Sequence, residues 1–385
     1  MAHPRYNPDR IPNLDPQENS EILKRYVRHL ELNRVAPTTI QNKIARVAPF
    51  LRHAGIGADE MDHETVEDYF LDRMERLSTS TIDGDVIEFR VFFKWLLGDD
   101  PAKELLKNIQ KSRKRRELPV EQILTRQDIQ AMIACGERQR DRALIAILWD
   151  SGARITEITN IDVGDLAFDK YGATVIVNGK TGRRKLRLIS STPDLQEWLE
   201  QHPYTTNPRA PLFITSRSYT SKEPRRLAGR TINNLFARLG RQAGIHKPCN
   251  PHAIRHARLT DLAREGLSEM ELRIVAGWSK SSSMPETYIH LSGVDVEKKI
   301  LRAEGFLQDE DQERDQAMRP IKCPRCKTLN SPNRWFCKNC TMTLRIEAAN
   351  EIEDIISAVD EFVLDPTEES ASSVLLSAAK RMRQH

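Results

Sequence analysis

The chain has 385 residues, with 59 lysines and arginines against 55 aspartates and glutamates, so its formal net charge is +4. At roughly 100–200 residues per domain, this length favours several domains. Residues 347–385 hold nine of the acids and only three of the bases, which leaves the rest of the chain at +10. A basic body indicates a polyanionic partner. The 39% of hydrophobic residues is enough for packed cores, so the composition is not that of a disordered chain.

Two cellular contexts are excluded at this stage. The longest continuous apolar stretch, Ala143–Trp149, is much shorter than the ~18 residues that suggest a membrane span. The first sixteen residues lack the apolar core of a secretory signal, so we expect no membrane association and no export. In such a chain, six cysteines favour thiols or metal ligands over disulfides.

Apolar periodicity, turn signals and charge runs divide the chain into consecutive segments. In order they are a flexible arm (1–16), a helical domain (17–110), a basic linker (111–123), a larger domain (124–306), a charged linker (307–320), a cysteine-bearing module (321–346) and an acidic amphipathic helical tail (347–385). Six bases between residues 107 and 116 mark the first linker as exposed and suited to phosphate contact.

The larger domain is predicted to be mainly helical with one β-hairpin. Its predicted helices are 128–134, 141–149, 154–160, 193–201, 231–243, 252–264 and 269–275. The hairpin pairs Thr174–Val177 with Lys185–Ile189, because Leu186 and Leu188 alternate with more polar neighbours across a glycine-rich turn. Thr125, three residues before Asp128, is the predicted N-cap of the first helix.

Two basic segments of this domain suit phosphate chemistry. SGARITE places Arg154 at the start of a helix, directly after a helix-ending glycine, where backbone N–H groups also favour an anion. NGKTGRR places Lys180 at the tip of the hairpin with glycines on both sides. Taken alone, each is more simply explained as a solvated basic residue.

Three later segments complete the set. NPHAIRH starts a helix on which His252 and Arg255 share a face. AGWS carries Trp278, and PETYIH carries Tyr288 ten residues further on. Alone, HxxR is a common pattern, and each aromatic side chain would be an ordinary buried residue.

Together the five segments resemble, in order and approximate spacing, the motifs of the tyrosine recombinases, the phage integrase and Xer-like family. SGARITEI resembles the TGxRxxEL segment, GKTGRRKLRLI the lysine-bearing hairpin, NPHAIRH the HxLRH box, and GWS…YIHL the GHS…YxH box. The resemblance covers about residues 18–305. Trp278 stands where most members have histidine, and the interval from it to the tyrosine is one residue longer than the commonest pattern.

The resemblance implies a fold and an activity. The fold is multidomain and mainly α, with a helical core-binding, DNA-binding domain at 17–110 and an α+β catalytic domain at 124–306. The activity is site-specific recombination or integration, in which duplex DNA is cut and rejoined through a 3′-phosphotyrosine intermediate without Mg²⁺ or ATP. It further implies double-stranded DNA as partner, a homotetramer on DNA, and a cytoplasmic, nucleoid-associated location in a prokaryote.

The resemblance also assigns roles to individual residues. They are the nucleophile (Tyr288), two bidentate phosphate donors (Arg154 and Arg255), the general acid for the leaving 5′-oxygen (Lys180), a phosphate donor that also accepts the phenol proton (His252), an indole N–H donor (Trp278) and a carboxylate that orients an arginine or histidine (Glu157). We therefore expect the phenol to lie among cationic side chains around one phosphate.

The last two segments lie outside this resemblance. Two CxxC knuckles predict one structural Zn²⁺ held by Cys323, Cys326, Cys337 and Cys340. Free thiols and an iron–sulfur cluster are the alternatives. The module could contact DNA or an accessory protein. The acidic tail could dock on its own chain, contact a subunit or an accessory protein, or inhibit the enzyme by mimicking DNA.

Two alternative functions remain open from the sequence. One is a non-catalytic, zinc-containing DNA-binding regulator on a recombinase scaffold, which would have no need of Tyr288. The other is an enzyme resembling type IB topoisomerases, which would relax supercoiled DNA by the same chemistry.

Overall fold

The computed structural model of the chain describes residues 6–58, 60–112, 120–179, 182–220, 223–282, 284–291, 300–301, 304–306, 318–346 and 356. It divides into two compact units, Met1–Glu117 and Leu118–His385. Lys180, residues 113–119 of the basic linker, residues 307–317 of the charged linker and all of the predicted tail except Ile356 lie outside the described residues.

The first unit is helical. Its helices are α1 (Gln17–Leu32), α2 (Pro37–Ala54), α3 (His63–Arg76), α4 (Thr79–Leu97) and α5 (Asp99–Leu105). Fully buried aromatic rings from four of these helices, α1 to α4, form the centre of the unit, where the ring centroids of Phe50 and Phe89 lie 4.9 Å apart. At its edge the buried Asp85 accepts hydrogen bonds from Arg46 and Arg73, so the desolvated carboxylate is paired.

The predicted flexible arm needs a correction for its described part. Tyr6 and Leu14 are buried in the core of the first unit, and their backbone N–H groups donate to Glu31 Oε1 at 2.9 Å and Ser20 Oγ at 2.7 Å. Two apolar anchors thus hold a segment whose proline and asparagine content suggested a loose chain.

The second unit is built around helices and one small sheet. Its helices are α6 (Arg126–Ala134), α7 (Gln139–Ser151), α8 (Ile155–Thr159), α9 (Thr192–Gln201), α10 (Gly229–Gln242), α11 (Pro251–Arg264), α12 (Glu269–Ala276) and α13 (Met284–Leu291). The seven helices predicted for this region are confirmed, and the Thr125–Asp128 capping box at the start of α6 is present. Helix α13 was not predicted as an element of its own.

The sheet is antiparallel in the order β1 (Leu166–Asp169), β2 (Gly172–Gly179) and β3 (Gly182–Leu188). The predicted hairpin is confirmed, with Val175 paired to Leu186 and both side chains buried. Strand β1 was missed because its side chains are half-buried or exposed, so it carries no apolar alternation. Two further short strands, β4 (Ile321–Lys322) and β5 (Leu329–Asn330), pair within the cysteine module.

The apolar run Ala143–Trp149 lies inside α7, where every one of its side chains is buried in the core of the second unit. Among the residues that the structure describes, none of the helices combines the length and apolar character needed to cross a bilayer.

Candidate active site

The end of α7 positions the first arginine. Gly152 caps this helix with φ +58°, a left-handed conformation that favours glycine, and the chain then turns into α8 with Arg154 as its N-terminal flanking residue. From there the half-buried side chain of Arg154 reaches the end of α12, where Nη1 donates to the carbonyl oxygens of Gly277 at 3.1 Å and Ala276 at 3.4 Å.

The second arginine approaches the same place from α11. Arg255 is only 6% exposed, and its guanidinium donates to the carbonyl oxygens of Gly152 and Ala276, both at 2.8 Å. Arg154 and Arg255 therefore share the carbonyl oxygen of Ala276 although they lie 101 positions apart in the chain. We call these two residues the arginine pair.

The electrostatics of the arginine pair favour an anion. Burial, together with the charge of Arg154, lowers the pKa of Arg255 to about 10, which still leaves this guanidinium protonated at neutral pH. A desolvated cation that is repelled by a second cation is stabilised by any negative group that binds between them. Fork-shaped N–H donors held in place before the ligand arrives suit the oxygens of a phosphate group.

Glu157 organises the cationic side chains around it. Its carboxylate is buried and accepts two parallel hydrogen bonds from Arg184, each 2.8 Å, and one from the backbone N–H of Arg154, also 2.8 Å. Burial by itself would raise the pKa of Glu157, but the hydrogen bonds from Arg184 and from the Arg154 backbone outweigh it, so the pKa is lowered. Glu157 is thus an ionised anchor for the residues at the start of α8.

Arg184 is a residue of this site that the sequence analysis did not select. It stands on β3, within the GKTGRR segment, and its Nε also donates to the carbonyl oxygen of Val275 at 3.3 Å. A side chain at Gly277, whose φ is +62°, would place its Cβ 2.5 Å from Arg184 Nη1, so this glycine makes room for the guanidinium. The signal available in the sequence was a second arginine beside the hairpin tip.

The hairpin tip itself begins at this anchor. Gly179, the last residue of β2, lies so close to the Glu157 carboxylate that any side chain there would collide with it, and it pairs with Gly182 of β3. Lys180, which directly follows Gly179, is outside the described residues, so its predicted role stays a prediction.

Tyr288 occupies a separate pocket. It lies on α13, is 1% exposed, and packs in a small apolar cluster with residues of α11 and α12. Its hydroxyl is hydrogen-bonded to His256 Nδ1, and its ring stacks on Trp278 with centroids 5.4 Å apart. We call Tyr288, His256 and Trp278, with the apolar side chains around them, the tyrosine pocket.

The direction of this hydrogen bond follows from the two pKa shifts. Burial raises the pKa of Tyr288 to about 12 despite the opposing charge of Arg255, so the phenol is protonated at neutral pH. Burial, with the charges of His252 and Arg255, lowers the pKa of His256, so the imidazole is neutral there. The phenol therefore donates, and His256 Nδ1 accepts.

This arrangement corrects one expectation. We expected the phenol among the cationic side chains, but the structure buries it and pairs its hydroxyl with His256. His256 directly follows Arg255 in NPHAIRH, and the sequence analysis gave it no role because only the HxxR spacing was interpreted. On α11 consecutive side chains point about 100° apart, so Arg255 can meet the carbonyls while His256 meets the tyrosine.

The remaining predicted residues divide into two groups. Trp278 is half-buried and contacts both parts of the site, since the Arg255 Cζ atom lies 5.7 Å from the centroid of its ring. His252 is exposed on the first turn of α11. The structure thus brings together Arg154, Glu157, Arg255 and Trp278, places Tyr288 behind the tryptophan ring, and leaves His252 open to solvent.

The four cysteines of the C-terminal module converge. Their sulfur atoms all lie within 4.8 Å of one another, with Cys323 to Cys340 at 3.5 Å and Cys326 to Cys337 at 3.4 Å. Tetrahedral Zn²⁺ with bonds of about 2.3 Å needs sulfur–sulfur separations of about 3.8 Å, so the cluster could hold a metal ion with little adjustment.

The two knuckles of this module repeat one turn. The backbone N–H of Lys327 donates to the carbonyl of Cys323 at 3.0 Å, and that of Thr341 donates to the carbonyl of Cys337 at 2.9 Å. Both Lys327 and Thr341 have positive φ, at 62° and 57°. Such matched turns aim two thiols each at a common centre.

Comparison with known families matches both units. The phage integrase family model matches residues 122–293, and the phage integrase N-terminal SAM-like domain model matches residues 22–103. Tyrosine recombinase XerD of Ralstonia nicotianae is 26% identical over 298 residues, which cover 72% of this chain and 92% of that protein. Tyrosine recombinase XerA of Pyrococcus horikoshii is 23% identical, covering 71% of this chain and 89% of that protein.

Two solved structures share the fold. XerH site-specific recombinase bound to its difH substrate is 18% identical with a TM-score of 0.53, covering 74% of this chain and 84% of that one. A lambda integrase dimer bound to a COC′ core site is 15% identical with a TM-score of 0.54, covering 71% and 77%. The mainly helical fold with a small sheet is thereby confirmed, whereas the cysteine module at 321–346 lies outside both matched family models.

These matches favour neither the non-catalytic regulator nor the topoisomerase-like enzyme. The order of the motifs, the convergent arginine pair and the two family models agree, and they identify the chain as a tyrosine recombinase, an enzyme of site-specific DNA recombination.

Proposed function

We propose that the arginine pair binds the scissile phosphate of duplex DNA and that Tyr288 is the nucleophile that cuts it. One observation carries this assignment: guanidinium groups from α8 and α11 converge on the carbonyl oxygen of Ala276. Two forks held at one point present the positive charge that a phosphorane needs, and that charge is in place before DNA arrives.

In the reaction, the phenolic oxygen of Tyr288 attacks the phosphorus, and the bond from phosphorus to the 5′-oxygen breaks. The strand then carries a 3′-phosphotyrosine bond, and the released 5′-oxygen takes a proton, for which Lys180 is our candidate donor. The phenol proton passes to a histidine, with His252 as the candidate in the attack geometry. Rejoining reverses these steps, so neither Mg²⁺ nor ATP is needed.

The tyrosine has to leave its pocket before it can attack. A side chain that is 1% exposed cannot be reached by a DNA phosphate, and its hydroxyl is already bonded to His256. Docking of DNA on the arginine pair would therefore be accompanied by a movement of α13 that carries the phenol past Trp278. In the open state the indole N–H becomes available to a phosphate oxygen.

Glu157 supports catalysis without touching the substrate. Through Arg184 and the backbone of Arg154 it holds α8, the base of the hairpin and the end of α12 together. This fixes where Arg154 points and where the chain leaves β2 toward Lys180.

Duplex DNA is the proposed partner, with a homotetramer as the working assembly. Support comes from the DNA complexes of XerH and lambda integrase, the latter described as a dimer. An accessory protein bound through the cysteine module or the acidic tail stays a prediction from the sequence.

A nicked duplex that loses a short fragment after cleavage tests the nucleophile. With full-length protein and EDTA present, we expect a covalent protein–DNA adduct on a denaturing gel, and Tyr288→Phe should bind the same DNA without forming it. The control is Tyr219→Phe, because Tyr219 is 46% exposed and lies outside the site. An adduct formed by Tyr288→Phe would reassign the nucleophile, and no adduct from the unaltered enzyme would contradict the proposed cleavage.

We further propose that the four cysteines hold one structural Zn²⁺. About 26 residues with two short strands cannot form an independent core, so the metal would supply much of the folding free energy of the module. We expect one zinc per chain in the purified protein and loss of that zinc in Cys337→Ser. Cys135→Ser, which removes a cysteine outside the cluster, should keep it; a metal-free chain or an iron–sulfur absorption band would contradict the assignment.

A further inference from the structure

The cysteine module is docked on the second unit through one of its sides. Ser331 Oγ donates to Asp194 Oδ2 at 2.9 Å, and both residues are buried. Nearby, Asn333 Nδ2 donates to the carbonyl oxygen of Gln130 at 3.1 Å. The side of the module that carries Ser331 and Asn333, just before the second knuckle, therefore lies against α6 and α9.

Two basic residues of the module are neutralised at this contact. Arg334 forms an ion pair with Glu197 of α9, and Lys338 Nζ lies 3.7 Å from Glu200 Oε1 on the same helix. Acids of α9 thus lie opposite two of the basic residues on the docked side.

The first knuckle carries basic residues that are exposed to solvent. Lys322, Arg325 and Lys327 are all exposed, and we call these three residues the knuckle cluster. Lys327 Nζ donates to the carbonyl oxygen of Pro324, within the knuckle itself, which holds its charge at the surface. The three side chains come from six consecutive positions that the first CxxC turn folds into one compact loop.

The composition of the module is one-sided. Residues 318–346 contain seven lysines and arginines and no aspartate or glutamate, whereas bases and acids nearly balance in the chain as a whole, at 59 and 55. Four zinc-bound thiolates would offset only two of these charges. A surface with this excess of exposed cations favours a polyanion as its partner.

We propose that the knuckle cluster binds the phosphate backbone of duplex DNA, as a contact separate from the arginine pair. The proposal rests on DNA being the substrate of the enzyme, and it assigns the module a sequence-independent grip on the DNA that the catalytic domain cuts. Because the module is anchored to α9 through Ser331 and Arg334, a phosphate bound at the first knuckle is held at a fixed place relative to the second unit.

Salt dependence of binding tests this contact quantitatively. Each phosphate neutralised by a protein cation contributes about 0.9 to the negative slope of log K against log salt. We expect the full-length triple variant Lys322→Ala, Arg325→Ala, Lys327→Ala to bind a duplex about tenfold more weakly near physiological salt, with a slope reduced by up to about 2.7. Fluorescence anisotropy over a salt series measures both quantities.

The matched control keeps the charge at the same positions. Lys322→Arg, Arg325→Lys, Lys327→Arg should retain the slope and affinity of the unaltered protein, and both triple variants should retain its zinc content. Equal slopes for the alanine triple and the unaltered protein would overturn the proposal. Equal slopes together with greater protease sensitivity of residues 347–385 in the alanine triple would indicate that the knuckle cluster binds the acidic segment of its own chain instead of DNA.

The adduct assay separates this inference from the proposed function. A short duplex limited to the cleavage site should still yield the covalent adduct with the alanine triple. Absence of an adduct with the unaltered enzyme would count against the proposed cleavage, whereas an unchanged salt slope in the alanine triple counts only against the knuckle cluster.

Discussion

The arginine pair and the tyrosine pocket lie side by side in the second unit, yet they are held by different forces. Arg255 is bonded to the backbone carbonyls of Gly152 and Ala276, at the ends of two helices. Tyr288 is held by one side-chain hydrogen bond, by stacking, and by five other buried residues of a cluster that is separate from the main core. Under the proposed assignment, the half that would bind the phosphate is assembled in advance, whereas the proposed nucleophile is buried in a pocket that it would have to leave.

Helix α11 serves both regions, since it carries Arg255 toward the carbonyls and His256 toward the phenol. The indole ring of Trp278 contacts both the Arg255 guanidinium and the Tyr288 ring. We therefore expect a substitution in either region to affect the other. A substitution in the arginine pair should mainly reduce cleavage, and one in the tyrosine pocket should mainly reduce stability.

The largest effect is expected from breaking the anchor of the arginine pair. Arg184→Met leaves the buried Glu157 carboxylate without its bidentate partner, which typically costs 3–5 kcal/mol, so we expect a loss of about that size in the free energy of unfolding. Urea denaturation followed by circular dichroism measures it. The double variant Glu157→Gln, Arg184→Met should recover part of the loss, and a single variant as stable as the parent would contradict the anchor.

Removal of one member of the arginine pair should affect cleavage more than folding. Arg154 is half-buried and bonds only to groups at the site, so Arg154→Ala should fold normally but form the covalent adduct about 10²–10³-fold more slowly. Single-turnover cleavage of the nicked duplex gives the rate. Arg209→Ala, which removes an exposed arginine of the same unit, is the control; an Arg154→Ala enzyme with normal cleavage would break the assignment.

A substitution in the tyrosine pocket should affect stability more than cleavage. His256→Phe removes the acceptor of a buried hydroxyl, which costs about 1–3 kcal/mol, so α13 should open more often and its amides should exchange hydrogen at least about fivefold faster. Because His256 does not hold the arginine pair, the adduct should still form. A loss of cleavage as large as that of Arg154→Ala would give His256 a direct part in the chemistry instead.

The smallest effect is expected from pH. The pKa of His256 in the folded protein lies below its ordinary value of about 6.5, so below that value the open or unfolded state binds more protons than the closed pocket. The closed pocket should therefore lose stability as the pH falls through this range, with His252 and Arg255 as the neighbouring groups whose charges also act on it. Hydrogen exchange of α13, corrected for intrinsic rates, should show this trend, and His256→Phe should lack it.

Much of the local structure could be predicted from the sequence. The apolar run of α7, the capping box at Thr125 and the alternation around Leu186 depend on neighbours a few residues away, and these elements are present. The cysteine spacing predicted a cluster for the same reason, since each knuckle is a local turn. Strand β1 was not predicted, because apolar alternation cannot reveal a strand whose side chains are half-buried or exposed.

The sequence by itself determined which chemical groups this enzyme carries and in which order, and it predicted that Arg154 begins one helix and that His252 and Arg255 share another. Only the tertiary structure decided that Arg184 rather than a solvent-exposed partner meets Glu157, that His256 holds the phenol, and that Ser331 docks the cysteine module on α9. Those pairings join residues 27, 32 and 137 positions apart. They depend on which faces of the helices pack together, and this is set by the whole core rather than by any short segment.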